Sequence, residues 1–148
     1  MAHVFTYPRR VGFAETDMAG IAHYSRFLIW MEEAEHAYLR SLGLSVVHRT
    51  ADGATVSWPR VSVSCDYSRP ARFEDVVEVR VAVEKRGTKS LTYGFTFVGA
   101  DGAELARGRT TCVCCRVKPG HGLESIAIPP EFDALRPAAP DAPTDGEA

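Results

Sequence analysis

The amino-acid sequence predicts an α+β fold in which one long helix packs on a five-stranded antiparallel sheet. Three observations carry this. Apolar residues recur at three- and four-residue spacing in one strong stretch, about Ser25 to Leu42. From Arg60 onward the period drops to two and holds through four long runs. Turn residues separate the last three of those runs closely enough for neighbours to pair antiparallel. At 148 residues the chain is long enough to bury one core without staples.

The elements follow in order. Val4 to Phe13 reads as a first strand, interrupted early by Pro8. In the helix Phe27, Trp30, Met31, Ala34, Tyr38 and Leu42 form an apolar stripe, opposite Arg26, Glu33, Glu35, His36 and Arg40. Leu28, Ile29 and Leu39 widen that stripe, so the helix is expected to be enclosed by the rest of the domain. Gly43 is placed to stop it as a C-terminal cap. A polar loop at about Ala51 to Ala54 follows.

Val61, Val63, Cys65 and Tyr67 then alternate with polar residues, as do Val77 to Val83 and Leu91 to Phe97. The last long run goes from about Glu104 to Val117. Arg86-Gly87-Thr88-Lys89 and Gly99-Ala100-Asp101-Gly102 are turn chemistry, making the final three strands a meander. Ser68 to Arg72 breaks the pattern before it. Pro129 to Leu135 can form a short helix, with proline in its first turn. The domain is expected to span residues 1–136, with the Pro/Ala/Asp-rich segment 137–148 a disordered tail. One helix on one sheet leaves a face or edge to cover, for which oligomerisation is a remedy.

Composition narrows the function. Hydrophobic residues at 45% and charged residues at 24% are ordinary globular usage. A net charge of -2, with no basic run, gives no footprint for nucleic acid or an anionic membrane surface. The N-terminal MAHVFTYPRR lacks the apolar core of a signal peptide, and no apolar run approaches membrane-spanning length. A cytoplasmic location is expected. Cys112, Cys114 and Cys115 crowd into one strand-like run, where neighbours point to opposite faces and cannot converge on a metal. They and Cys65 are expected to be small reduced residues.

The chemistry-bearing stretch is ETDMAGIAHYSRF, residues 15–27. It sets Glu15 and Asp17 before a Gly20-containing turn that leads into the helix. The first turn of a helix carries unpaired N–H groups and a partial positive charge, which can hold a developing oxyanion. A carboxylate just upstream can attack the polarised carbonyl or deprotonate a water that does. Gly20 would admit a carbonyl close to the backbone. That is the minimum kit for acyl-transfer hydrolysis. On spacing alone, capping is the more ordinary role for such acids. The Asp/Glu/His trio lacks the spacing of a metal motif.

RVGFAETDMAGIAHYSRFLIWMEEAEHAYLRSLGL closely resembles the opening of hotdog-fold acyl-CoA thioesterases of the 4-hydroxybenzoyl-CoA thioesterase and YbgC type. Glu15, Asp17, Gly20 and Phe27 fill the places of that family's strand-to-helix motif. PRVSVSCDYSRPARFEDVVEV, RGTKSLTYGF and ARGRTTCVCC extend the likeness over about residues 4–135. The resemblance implies a hotdog fold, a long central helix wrapped by a curved five-stranded sheet. It implies homo-oligomers, dimers joined sheet edge to sheet edge and often paired again into tetramers, with sites at the dimer interface.

It further implies an acyl-CoA thioesterase without metal or cofactor, coenzyme A being part of the substrate. Asp17 takes the place of the catalytic carboxylate, and the amide near Tyr24 that of the oxyanion donor. Met18, Gly20, His23 and Phe27 would shape the acyl site, although His23-Tyr24 inverts the Tyr-His pair of YbgC-like members and Arg26 replaces a common Asn. Arg86, Lys89 and Ser90 are candidates for the coenzyme A phosphates, a role that an ordinary solvated hairpin turn mimics. The alternatives are the same hydrolysis on an acyl carrier protein thioester, and a non-catalytic hotdog module binding an acyl thioester or a protein.

Overall fold

The computed structural model describes residues 4–120 and 122–138. The central helix α1 runs Tyr24–Ser41. Among the described residues there are nine strands: β1 (Phe5–Arg10), β2 (His48–Arg49), β3 (Thr55–Ser57), β4 (Arg60–Tyr67), β5 (Val76–Arg86), β6 (Ser90–Val98), β7 (Glu104–Val113), β8 (Cys115–Val117) and β9 (Leu123–Ser125). The main sheet has five strands in the order β1-β5-β6-β7-β4, antiparallel throughout. Pro8 is tolerated because β1 is an edge strand.

The period-two reading of β5 and β6 holds. Val77, Val79, Val81 and Val83, with Leu91, Tyr93, Phe95 and Phe97, all turn inward and are buried against Trp30, Met31 and Ala34 of the helix. Gly43 closes the helix in a Schellman motif, with φ of 73°. Its amide donates to the Arg40 carbonyl at 3.0 Å and that of Leu44 to Leu39 at 2.9 Å.

Four expectations need correction. Glu35, assigned to the polar side of the helix, is 1% exposed and pairs with Arg60 at the start of β4. Leu28 and Ile29 are exposed, so the helix is enclosed on its Trp30 side only. Val61 and Val63 are 64% and 45% exposed; β4 is the other edge strand, and among the described residues no strand pairs beyond it. The long run to Val117 breaks at Cys114, whose amide turns to the Lys89 carbonyl at 2.7 Å. That break lets adjacent Cys114 and Cys115 both be buried.

Beyond the break, β8 joins a second sheet in the order β2-β3-β8-β9. Its strands are two or three residues long, too short to show a period. The expected loop at Ala51 to Ala54 is the turn between β2 and β3. A 3₁₀ turn at Pro130–Phe132 packs against this sheet through Phe132, whose ring meets Trp58 at 5.2 Å and His48 at 5.1 Å. The expected disordered tail falls, except for Pro137 and Ala138, outside the described residues. Among the described residues no helix is long and apolar enough to cross a membrane.

Candidate active site

The site begins where β1 ends. A 3₁₀ turn at Phe13–Glu15 leads into a small antiparallel ladder. The His23 amide donates to the Glu15 carbonyl at 2.8 Å, Thr16 bridges to Ala22, and the Asp17 amide donates to Ile21 at 2.9 Å. Asp17 to Gly20 form the turn at its tip, closed by the Gly20 amide on the Asp17 carbonyl at 3.0 Å. Gly20, the last residue of that turn, lies at φ of 79°, a left-handed position that favours glycine. The returning arm is stitched to the segment before β5, through Ala22 N–H to the Ala71 carbonyl at 2.7 Å and a bridge from Ile21 to Arg72.

Asp17 is exposed at this tip. Its Oδ1 accepts the Ala19 amide at 2.8 Å, which orients the carboxylate, and its other oxygen has no partner among the described residues. His23 is the N-cap of α1, its Nδ1 accepting the Ser25 amide at 3.2 Å and meeting Ser25 Oγ at 2.7 Å. The Arg26 amide turns back to the His23 carbonyl at 2.9 Å. The Tyr24 amide makes no hydrogen bond among the described residues, so the first helical turn keeps an open donor.

Asp17, Ile21, Tyr24, Phe27, Tyr67 and Arg69 are among the residues lining one groove of about 560 Å³. Phe27 forms the floor, 2% exposed, with edge-to-face contacts at 5.1 Å to both Tyr67 and Phe97. The Tyr67 hydroxyl donates to the Tyr24 carbonyl at 2.8 Å, fixing the groove wall to the helix start. Burial, and then the neighbouring Cys65 thiol, push the Tyr67 phenol above its ordinary range, so it stays a donor. A second depression of about 560 Å³ lies around Gly94 on the outer sheet face. It is ringed by ion-paired Arg80, Arg107 and Arg109, and no residue of α1 lines it.

The groove thus unites Asp17, Tyr24 and Phe27 from the sequence-predicted set and leaves others aside. Met18 is wholly exposed beside it, and the His23 ring is spent on capping. The Arg86-Lys89-Ser90 turn sits at the opposite end of β5 from the Asp17 ladder, about 30 Å away at ~3.3 Å per residue. There Arg86 Nη1 donates to the carbonyls of Phe132 at 2.7 Å and Leu135 at 2.8 Å, clamping the C-terminal turn. Lys89 remains exposed. Tyr67 and Arg69 also line the groove; the sequence marks Tyr67 only as part of the β4 alternation and Arg69 only as part of the break after it.

An open carboxylate and an unpaired helix-terminal amide on an apolar groove define a class, hotdog-fold hydrolases of activated acyl groups. The chain belongs to the thioesterase-like superfamily, whose sequence profile matches residues 11–135. It is 32% identical over 111 residues to the 1,4-dihydroxy-2-naphthoyl-CoA hydrolase of Synechocystis, covering 74% of this chain and 80% of that one. The crystal structure of the Synechocystis thioesterase Slr0204 superposes with a TM-score of 0.78 at 27% identity, covering 89% and 94% of the two chains. The acyl-CoA thioester hydrolase YbgC of Escherichia coli is 25% identical over 126 residues, 83% of this chain and 92% of YbgC. A 4-hydroxybenzoyl-CoA thioesterase shares the fold, with a TM-score of 0.80 at 21% identity over 90% and 99% of the chains.

Proposed function

We propose that the protein hydrolyses acyl-CoA thioesters to a free acid and coenzyme A. The observation that carries this is the groove itself, lined by Asp17 and by Tyr24, whose amide is open, with Phe27 as its aromatic floor. The thioester carbonyl takes the Tyr24 N–H, and charge developing on its oxygen is held there and by the helix dipole. Asp17 either attacks the carbonyl carbon, expelling the thiolate and leaving an anhydride that water opens, or takes the proton of an attacking water. Both routes consume one water and yield carboxylic acid and thiol. Neither calls on a metal or cofactor.

The aromatic floor and the naphthoyl substrate in the name of the Synechocystis relative support aryl acyl groups as the first choice. Four free thiols, three of them buried, support a reducing, cytoplasmic setting. The protein acts as a homo-oligomer, dimer or tetramer, a reading supported by the unpaired edge of β4 with its exposed Val61 and Val63. Antiparallel pairing of two such edges would bring the far end of the partner's sheet, which carries the partner's Lys89, alongside the Asp17 end of this one.

The test is a panel of aromatic, short-chain and long-chain acyl-CoAs and carrier-protein thioesters, run with wild type and Asp17→Asn. Turnover of acyl-CoA that falls at least about 100-fold in a folded Asp17→Asn protein supports the assignment. Wild type inert toward every thioester overturns it, and turnover of carrier-protein esters alone reassigns the substrate.

A further inference from the structure

Glu15 precedes Asp17 by two residues, yet the two carboxylates live in opposite surroundings. Glu15 Oε1 accepts Arg9 Nη1 at 2.8 Å and the Gly12 amide at 2.9 Å. Its Oε2 accepts Arg9 Nη2 at 3.0 Å and the Trp30 indole N–H at 2.8 Å. A carboxylate offers about four acceptor positions, and all are filled, so Glu15 has none left for a substrate or a water. Burial alone would raise its pKa. The Gly12 amide, the Trp30 N–H and the Arg9 guanidinium overcome that and hold the carboxyl below its usual range.

The partners are themselves fixed. Arg9 Nε is bound by Glu33 Oε2 at 2.8 Å, and the guanidinium lies over the Trp30 ring at 5.9 Å. Trp30 is fully buried on the inner face of α1. The Glu15 side chain therefore ties the end of β1 to the middle turns of the helix. Its backbone carbonyl accepts the His23 amide, at the residue before Tyr24. Glu15 therefore touches both arms of the ladder: the outgoing arm carries the Asp17 carboxylate, and the returning arm, also held by Ala71 and Arg72, leads to the Tyr24 amide.

We propose that Glu15 is a positioning residue that sets the separation of the Asp17 carboxylate from the Tyr24 amide; this rests on the hydrolase reading above. Among the described residues, the side chain of Glu15 is what ties the outgoing arm, which carries Asp17, to the core; the Ala71 and Arg72 contacts hold the returning arm. The contacts of Asp17 itself are the Ala19 amide and the ladder and turn bonds to Ile21 and Gly20. Loss of the Glu15 anchor leaves the ladder intact at its tip and loose at its root, where a small rotation displaces the catalytic oxygen most. Ground-state binding in the groove, made by Phe27, Tyr67 and Arg69, does not pass through Glu15.

The experiment measures kcat and KM of Glu15→Gln with an acyl-CoA that wild type turns over, well below the unfolding temperature. The expected result is kcat down about 10- to 100-fold with KM within about twofold. In an Asp17→Asn background the same substitution should cost nothing further, because it acts through Asp17. Trp30→Phe, which keeps an aromatic side chain but a smaller one and removes the indole donor, should lower kcat several-fold and carries the test if Glu15→Gln does not fold. Wild-type kcat in a folded Glu15→Gln or Trp30→Phe, or an equal loss with and without Asp17, overturns the proposal while leaving the hydrolase reading standing. An inert wild type overturns both.

Discussion

Arg60→Met tests what holds the helix to the edge strand. Glu35 is 1% exposed, and its pKa is raised to about 7 because burial outweighs the attraction of Arg60, with Glu32 adding to the rise. In the unfolded chain the same carboxyl titrates near ~4.3. The folded state therefore binds more protons than the unfolded state between about pH 4.3 and about pH 7, and stability from this group falls as pH rises through that window. Above it, wild-type Glu35 is ionised and relies on Arg60. Without Arg60 the folded protein keeps Glu35 protonated to higher pH. At pH 8.5, about 1.5 units above the wild-type value, holding that proton costs about 2 kcal/mol at ~1.4 kcal/mol per unit. Below about pH 5.5 Glu35 is protonated in both proteins and this penalty vanishes. For a chain of this size, ~2 kcal/mol lowers Tm by about 4–8 °C. Thermal unfolding by circular dichroism at pH 5.5, 7 and 8.5, at one fixed protein concentration, reads it directly. A Tm loss that is independent of pH, or larger at pH 5.5, refutes the reasoning. So does a Glu35→Gln/Arg60→Met double variant that keeps the pH dependence.

Gly20→Ala puts a Cβ at φ of 79°, where open space surrounds it, so the cost is conformational, about 1–2 kcal/mol in chemical unfolding, with a matching loss of kcat as the Asp17 turn shifts. A neutral effect on both would show that the turn tolerates another shape. Lys89→Ala should raise KM several-fold for an acyl-CoA and leave the acyl-pantetheine analogue unchanged. Equal effects on both would exclude Lys89 from phosphate contact. Val63→Lys, which puts a charge on the open edge of β4, should convert the wild-type oligomer to single chains in light scattering and lower activity with it. A wild type that is monomeric and fully active would remove the edge from the account of the site.

Legibility in the sequence followed the range of the interactions. The β5–β6–β7 meander could be read because burial on one face writes its own alternation, and Gly43 because a left-handed cap is a local demand. Asp17 could be read because turn, acid and helix start are neighbours in the chain. What escaped was held across distance. The Tyr67 hydroxyl reaches a carbonyl 43 residues away, and Arg86 spends its guanidinium on carbonyls 46 and 49 residues away. Glu35 carries the helical signature of a solvated residue, and only the fold brings Arg60 to it. The β4 alternation looks like that of β5, since a period reports which side chains share a face and not whether anything covers it.

Three of the five acids of the helix and its entrance, Glu15, Asp17 and Glu35, differ mainly in how many donors each has already taken. Glu15 has four, a saturated set that makes it a fixed negative charge and a poor base. Glu35 has one strong partner in a buried setting and answers to pH through the stability of the helix-to-edge contact. Asp17 has one backbone amide, open solvent on its other oxygen, and a helix terminus across the groove. A nucleophile or general base needs an uncommitted lone pair and a place for the substrate to sit. Of these three, only Asp17 has both. The E-x-D spacing therefore divides two tasks that one carboxylate could not combine. The donors that lock Glu15 in place would quench it as a reactant, and the exposure that makes Asp17 reactive deprives it of anchorage. The residue at 17 can remain loosely held because the residue at 15 is not.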